Sequence, residues 1–227
     1  SIGQPKPDEF EWPQYSQRTK PWTRWWWLGN SVDKESLSFR LKELNDAGFG
    51  GVEITPIYGV KGLEKKEISF LSPSWMEMLQ HTMGEAKSLG LGVDMNCGTG
   101  WPFGGRQISE SNSASRLYLQ SFTLVGDQKS SVKIGLSGSE FRKNARLRLV
   151  RAFSNNGEQA DISDQVSTDG NLNWDVPHGI WNVIAVFNVP TGQKVSRSAP
   201  GGEGLVVDHL SKSAIQHYLN SFSKAFE

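Results

Sequence analysis

Apolar and polar residues follow two different patterns along the chain, and the pattern changes near residue 115. Before that point, short apolar runs are separated by stretches with an apolar residue every third or fourth position, which is the spacing of one helix face. From Ser115 to Ser198 apolar and polar positions alternate, and turn residues such as Asn155-Asn156-Gly157 interrupt the runs. The first part is therefore predicted to be mixed α/β, and the second to be antiparallel β-structure.

The mixed part is predicted to contain three strands and two helices. The strands cover Trp22–Leu28, Gly50–Ile54 and Leu91–Met95, and the helices begin after Asp33 and at Ser72-Pro73. A strand–helix–strand order with short connections predicts a parallel sheet. Bulky groups fall on both faces of the first strand, so we expect both faces to be covered. Trp25 and Trp27 lie on one face, and Arg24, Trp26 and Leu28 lie on the other.

The second helix carries an apolar stripe that we interpret as core rather than as a binding surface. The stripe consists of Trp75, Leu79, Met83, Ala86 and Leu89. His81 lies off this stripe and is expected at the surface. Gly90 ends the helix, and the third strand follows directly.

The third strand leads into a glycine-rich loop, and this stretch is the main candidate for function. Asp94 and Asn96 are polar positions at the end of an apolar strand, and the loop that follows carries Trp101. Loops held by a rigid scaffold often bind ligands, which favours a ligand-facing strand end. The alternative is a tight turn in which Trp101 fills the core.

A second candidate is Glu53, which lies between Val52 and Ile54 in the middle strand. A carboxylate in a buried strand is costly unless it is paired or exposed in a site. Alternation directs Glu53 away from the face that Val52 and Ile54 share. We interpret it as lining a ligand site, with a structural salt bridge as the alternative.

The β-rich part is predicted to be an antiparallel sandwich or small barrel. Its apolar runs lie at Leu117–Leu119, Phe122–Val125, Val132–Leu136, Leu147–Phe153, Leu172–Val176 and Trp181–Val189. A hairpin at Pro177-His178-Gly179 would bring Trp174 close to Trp181. These two aromatic residues would either bind a sugar or belong to the core.

After a loop at residues 200–204, the α/β pattern returns. Leu205–Val207 runs into Asp208-His209, and a helix begins at Ser211. The β-rich part is therefore expected to be an insertion in an α/β domain. Because the helical pattern continues to Glu227 with no closing strand, we expect this chain to contain that domain only in part.

Composition limits the classes of function. The chain has 227 residues with 24 basic and 24 acidic side chains, so its charge gives no argument for a nucleic-acid partner. No apolar run approaches the roughly 20 residues that span a bilayer. Cys97 is the single cysteine, which excludes an internal disulfide. Nine tryptophans raise the expectation of a carbohydrate ligand. The expected location is secreted or periplasmic.

Common catalytic signatures are missing, but three stretches resemble one enzyme family. The sequence has no nucleophile elbow, phosphate loop, zinc-protease motif or dinucleotide fingerprint. Three runs are similar to the start of the catalytic domain of glycoside hydrolase family 106, known for α-L-rhamnosidases. They are Pro21-Trp22-Thr23-Arg24-Trp25-Trp26-Trp27-Leu28-Gly29, Gly50–Ile54 and Asn96–Gly105. The run Val207–Ser211 also resembles that family. Much of Ser115–Ser198 carries no motif that matches.

The resemblance implies a fold and a division of the chain. Together with the alternating pattern of residues 115–198, it predicts an α/β fold, a partial (β/α)8 TIM-like barrel with an inserted antiparallel, sandwich-like β-domain. Residues 1–20 would be a lead-in, 21–114 the first βα units, 115–198 the insertion, and 199–227 a return to the barrel that stays incomplete at the C-terminus.

The resemblance also implies an activity, which is removal of terminal α-L-rhamnose from plant or bacterial glycans by inversion, with calcium at the active site. The family's catalytic acid and base are glutamates with no matching positions before Glu227, so we expect them beyond it and expect this chain to be inactive alone. Candidate contacts to the sugar are the polar and aromatic residues near strand ends: Glu53, Asp94, Asn96, Trp101, Asp208 and His209. The expected partners are an oligosaccharide or polysaccharide and the missing remainder of the barrel.

Two other functions are compatible with the residues. One is a non-catalytic carbohydrate-binding protein, in which the β-rich part or a degenerate barrel holds a glycan. The other is a folding scaffold without a ligand of its own.

Overall fold

A computed structural model of the chain describes residues 15–136 and 144–227. The predicted lead-in, residues 1–20, lies outside the described residues except for residues 15–20, where Gln17–Thr19 forms a 3₁₀ turn. Within the described residues the strands are β1 (Trp22–Leu28), β2 (Gly51–Ile57), β3 (Gly92–Met95), β4 (Gly104–Gly105), β5 (Ser115–Val125), β6 (Gln128–Lys129), β7 (Arg146–Ser154), β8 (Gln159–Asp161), β9 (Asp175–Val176), β10 (Ile180–Pro190) and β11 (Leu205–Val206). The helices are α1 (Lys34–Asp46), α2 (Pro73–Ser88) and α3 (Lys212–Ser223).

The chain forms two compact units. Of the described residues, one unit contains 15–105 and 195–203, and the other contains 106–136, 144–194 and 204–227. The structure is mixed α/β with several sheets, and the described residues form no closed barrel. The division at residues 20, 114 and 198 that the sequence suggests stays a prediction.

The first unit is built on the predicted parallel sheet, in which β2 lies between β1 and β3. Local signals start its helices where the sequence indicates. The Asp33 side chain caps α1 by accepting from the Ser36 amide at 2.8 Å, and the Ser72 hydroxyl caps α2 by accepting from the Trp75 amide at 3.3 Å. Pro73 occupies the first turn of α2, where its missing N–H costs nothing.

Both helices pack on the same face of this sheet. Trp27 and Ile54 contact the face formed by Leu37, Trp75 and Leu79, and the Trp27 and Trp75 rings lie 5.6 Å apart. A second cluster on this face contains Leu41, Val52, Ala86 and Leu91. The sheet therefore has one face covered by helices and one that they leave open.

The open face overturns one expectation from the sequence. We expected β1 to be covered on both sides, but Trp22, Trp26 and Leu28 are 40%, 44% and 41% exposed. The physical reason is that α1 and α2 both cover the Trp25–Trp27 side. The bulky residues on the other side pack on neither helix.

The predicted stripe of α2 is correct except at one residue. Trp75, Leu79 and Ala86 are buried, but Met83 is 54% exposed, and Thr82 is buried instead. At 100° per residue, Met83 points roughly 70° away from the direction that the buried residues share. His81 is half-buried, because its Nε2 contacts the Ser38 hydroxyl at 2.8 Å.

The second unit contains the antiparallel structure that the alternating pattern predicts. Four strands pair in the order β5-β10-β7-β8, and β6 pairs with β9. The inner face of β10 packs into an apolar core, where the Trp174 and Trp181 rings meet edge to face at 5.3 Å. Both rings are buried, so the hairpin does bring them together, as core residues. In the predicted strand at Val132–Leu136, Lys133 makes only an isolated bridge, to Asn171.

Helix α3 belongs to this second unit. The Ser211 hydroxyl accepts a hydrogen bond from the Ala214 amide at 3.3 Å, which fixes the start of the helix. Ala214 and Tyr218 are its buried residues. No helix among the described residues has the length and apolar character that crossing a bilayer requires.

Candidate functional site

The candidate site is the open face of the parallel sheet in the first unit. Side chains alternate along a strand, so residues two apart share a face. The register aligns Arg24 on β1 with Glu53 on β2, and Glu53 with Asp94 on β3. Three charged side chains thus form one row across the sheet, on the face opposite the helices.

Glu53 is held by a hydrogen-bond network within this row. Arg24 donates through Nε to Glu53 Oε1 at 3.2 Å and through Nη2 to Oε2 at 3.4 Å. The Thr55 hydroxyl lies 3.3 Å from Glu53 Oε1 and is almost fully buried, with 1% exposure. The Asn96 amide donates to Thr55 Oγ1 at 3.3 Å. The network fixes the direction of the Glu53 carboxylate.

The structure shows the salt bridge that the sequence offered as one interpretation of Glu53, and the ligand-lining interpretation stays a prediction. Glu53 forms this salt bridge with Arg24, and its side chain is one-third exposed on the open face of the sheet. Asp94 is exposed and has no hydrogen-bond or ion-pair partner in the part of the chain that the structure describes. A carboxylate in that state has its full capacity to accept hydrogen bonds from hydroxyl groups.

Two tryptophans border the polar row. The Trp26 and Trp101 rings meet edge to face with centroids 5.9 Å apart, and they are 44% and 38% exposed. The Arg24 guanidinium lies 5.6 Å from the Trp26 ring centroid, which joins the aromatic pair to the ion pair. Trp101 does not fill a core, so the tight-turn alternative is wrong for this residue.

The loop that carries Trp101 is fixed by a second loop of the same unit. The Trp101 amide donates to the Ser196 carbonyl at 2.9 Å, and the Ser196 amide donates to the Trp101 carbonyl at 2.9 Å. At Gly202, a Cβ would lie 2.1 Å from Thr99 Oγ1, and at Gly100 it would lie 2.1 Å from the Ser196 carbonyl oxygen. The two loops approach each other so closely that these positions accept only glycine without rearrangement.

Sequence reasoning missed two participants in the site. Trp26 was expected to be covered, although alternation already placed it on the same face as Arg24. Thr55 gave no signal, because a threonine in a strand is ordinary.

The other two predicted contacts belong to the second unit. Asp208 accepts from the Ser115 hydroxyl at 3.3 Å and from the Leu210 amide at 3.0 Å. His209 is exposed and makes no hydrogen bond with any residue that the structure describes. The structure thus brings Glu53, Asp94, Asn96 and Trp101 into one unit and places these two residues in the other.

The donor set of the site gives limited support to a metal. Among the described residues, no three histidine, cysteine, aspartate or glutamate side chains are grouped so that they could hold a metal ion. The open face offers the Glu53 and Asp94 carboxylates and the Asn96 amide oxygen. These oxygens are of the type that calcium prefers, but they are fewer than the six to eight that it takes.

Comparisons with known proteins agree on the class of protein. The family model for α-L-rhamnosidases of glycoside hydrolase family 106 matches residues 13–142 and 150–227. A protein of Formosa agariphila, provisionally named a beta-glucuronidase, is 22% identical over 92% of this chain and 21% of its own length. The solved structure of a rhamnosidase from Novosphingobium sp. PP1Y superposes with a TM-score of 0.68 at 13% identity.

The solved structure shows a shared fold and a difference in length. The superposition covers 93% of this chain but 37% of the rhamnosidase. The chain thus spans about a fifth of the length of the Formosa relative and just over a third of the solved protein.

Proposed function

Because the chain belongs to glycoside hydrolase family 106, the family of α-L-rhamnosidases, we propose that it is the N-terminal portion of an enzyme that removes terminal α-L-rhamnose from plant or bacterial glycans by inversion. The family and the rhamnosidase neighbour support a glycoside hydrolase. The bond cleaved, the sugar and the stereochemistry belong to the proposal, as does a secreted or periplasmic location.

One observation carries the proposal: a row of charged side chains lies beside two exposed tryptophans on the open face of a parallel sheet. Sugars present hydroxyl groups around an apolar ring face, so they need hydrogen-bonding groups and a flat apolar surface together. Glu53, Asp94 and Asn96 supply the first, and Trp26 and Trp101 supply the second. Asp208 and His209 are proposed as further sugar contacts.

We further propose that β1, β2 and β3 begin a (β/α)8 barrel. The strands are parallel and follow each other in sequence order, and both helices pack on one face. In a barrel the helices cover the outside, and the polar groups at the carboxyl ends of the strands form the active site. Asp94 and Asn96 lie at the carboxyl end of β3, as such a site requires. Glu53 does not lie at a strand end, as the sequence suggested, because β2 continues to Ile57 and Glu53 is its third residue.

The catalytic acid and base are proposed to lie outside these 227 residues, so that the chain alone does not hydrolyse substrate. Both oxygens of Glu53 accept from Arg24, which suits a residue that positions a ligand. Calcium binding is part of the proposal, at the edge formed by Asp94 and Asn96. There the ion would hold sugar hydroxyls, with water and backbone carbonyls completing its ligands.

The experiment combines binding and hydrolysis. We expect L-rhamnose to bind the chain by calorimetry, and we expect Trp101→Ala to weaken binding about tenfold, as loss of a central aromatic contact does. Phe39→Ala is the matched control, since Phe39 is 56% exposed on α1, which covers the other face of the sheet. Unchanged binding in Trp101→Ala would contradict the assigned site.

Hydrolysis of an aryl α-L-rhamnoside, with and without calcium, tests the catalytic part. The 227-residue chain is expected to release no aryl alcohol, and the full-length protein is expected to release β-L-rhamnose first, detected by NMR. Release by the short chain would place the acid and base among Glu53, Asp94 and Asp208. Binding without hydrolysis by the full-length protein would favour the non-catalytic carbohydrate-binding alternative.

A further inference from the structure

The second unit contains a cavity in which Asp208 is the one residue shared with the proposed rhamnose contacts. Its volume is about 660 Å³, and its lining comes from the antiparallel sheet and from the segments around residues 110–115 and 208–211. Cavities of roughly 300–1,000 Å³ hold small ligands, and a sugar unit or disaccharide is within that range. All of the lining residues belong to this unit.

Its floor is a row of side chains across three strands. Leu117 on β5 lies opposite Asn188 on β10, and Asn188 lies opposite Arg146 on β7. These residues occupy the outer face of the sheet, because Phe187 and Val189 beside Asn188 point into the core. The row thus places an apolar group, an amide and a guanidinium side by side.

A β-bulge adds a second arginine. Val186 pairs with Leu149 and Phe187 pairs with Leu147, so Arg148 has no residue opposite it on β10. A bulge directs a side chain out of the regular alternation, and bulges are frequent beside binding sites. Here it brings Arg148 to the same cavity as Arg146.

The two arginines have unused binding capacity. Among residues 15–136 and 144–227, the side chains of Arg146 and Arg148 have no hydrogen-bond or ion-pair partner. Arg116 also lines the cavity, and its guanidinium lies over the Tyr118 ring at 5.8 Å. A guanidinium presents a planar set of N–H donors that matches the two oxygens of a carboxylate or sulfate.

The two acidic residues of the cavity already accept hydrogen bonds. Asp208 accepts from the Ser115 hydroxyl and the Leu210 amide, and Glu110 accepts from the Asn144 amide at 2.8 Å. They are outnumbered by the three arginines. An anionic group is therefore favoured at the Arg146–Arg148 side, with neutral hydroxyl groups near the serines and acids.

We propose that this cavity binds an acidic saccharide, with its carboxylate or sulfate on Arg146 and Arg148. Asn188 and the serine hydroxyls suit sugar hydroxyl groups, and Leu117, 68% exposed at the floor, suits the apolar ring face. A nucleic acid fits less well, because the described lining contains no aromatic side chain for base stacking. The site would hold a charged part of a glycan independently of any hydrolysis.

Calorimetry of the full chain with three probes tests the proposal: a galacturonic acid trisaccharide, galactose 6-sulfate and neutral galactotriose. At least one acidic probe should bind, and binding should weaken severalfold from about 50 to 500 mM NaCl, since salt screens exposed charges. The two acidic probes distinguish a carboxylate ligand from a sulfate ligand. Equal binding of galactotriose, or no binding of either acidic probe, would overturn the proposal.

Three arginine variants in β7 test whether the acidic probe binds at this cavity. Arg146→Gln and Arg148→Gln should each weaken binding of the acidic probe about tenfold, as loss of a charge-assisted hydrogen bond does. Arg151→Gln should leave binding unchanged, since Arg151 is on β7 outside the cavity and lies 4.0 Å from Asp161. An equal loss in all three variants would overturn the proposal, because the probe would then bind through the overall charge of the strand and not at the cavity. L-rhamnose binding is measured in parallel, so failure here is distinguishable from failure of the rhamnose site.

Discussion

Replacing Glu53 with glutamine separates a ligand-binding role from a structural one. The substitution keeps the shape of the side chain and removes its charge. Glu53 accepts from Arg24 at 3.2 and 3.4 Å, and the two side chains are 33% and 47% exposed. Ion pairs with that exposure contribute about 0.2–1 kcal/mol, because water and salt screen the charges.

The expected loss of stability in Glu53→Gln is therefore below about 1 kcal/mol. For a chain of this length that corresponds to a fall in Tm of at most about 2–4 °C. A double-mutant cycle with Arg24→Gln should give a coupling of the same size. A buried pair that loses one partner costs about 3–5 kcal/mol, so a loss in that range would show that Glu53 is a structural residue.

The binding of L-rhamnose should respond much more strongly. A hydrogen bond to a charged group contributes about 1.5–3 kcal/mol, so Glu53→Gln should weaken binding by tenfold or more in calorimetry. Glu43→Gln is a matched control, because Glu43 forms an exposed ion pair with Arg40 on α1 of the same unit. Full rhamnose affinity in Glu53→Gln, or equal losses in both variants, would refute the assignment of Glu53.

Two further predictions concern stability. Asp33→Ala should lose about 1 kcal/mol at pH 7 in urea denaturation, because it removes the cap of α1. The Ser36 amide lowers the pKa of Asp33, so the cap contributes fully above the unfolded-state pKa and is lost as pH falls through the lower folded-state value. The difference in stability between the variants should therefore shrink as the pH falls through this range, and a constant difference would contradict this. Gly202→Ala should lower the free energy of unfolding by about 1–3 kcal/mol, since its Cβ would overlap Thr99. In the control Gly84→Ala, in α2, the Cβ meets nothing within 4 Å, and the free energy of unfolding should rise by up to about 1 kcal/mol. Equal effects of the two substitutions would refute the close contact at Gly202.

Signals confined to a few neighbouring residues predicted the elements well. Asp33, Ser72 and Pro73 mark helix starts through contacts within one turn, so the sequence alone locates α1 and α2. The strand β1 has the predicted bounds, Trp22 to Leu28. The antiparallel strands were also recognisable, because alternation and turn residues are local properties.

Contacts between distant residues were beyond such reasoning. Trp101 is fixed by Ser196, 95 positions away, and its exposure depends on that contact. Arg148 reaches its cavity through a bulge, which breaks the alternation that a sequence pattern assumes. Which face of β1 stays open depends on the side of the sheet on which α1 and α2 pack. The sequence of β1 alone does not indicate that side, because bulky residues occur on both of its faces.

The state of the arginines argues that the two sites take different ligands. In the first unit Arg24 already donates to Glu53, so its charge is compensated and its role is to orient the carboxylate beside Trp26. A neutral sugar such as rhamnose suits that arrangement, because a compensated site offers hydrogen bonds without favouring a net charge. In the second unit no described carboxylate pairs with Arg146 or Arg148, so an anionic ligand would gain charge-assisted hydrogen bonds there that a neutral ligand would not. The two proposed sites therefore differ in the charge of the sugar that each is expected to bind, which is neutral in the first unit and anionic in the second.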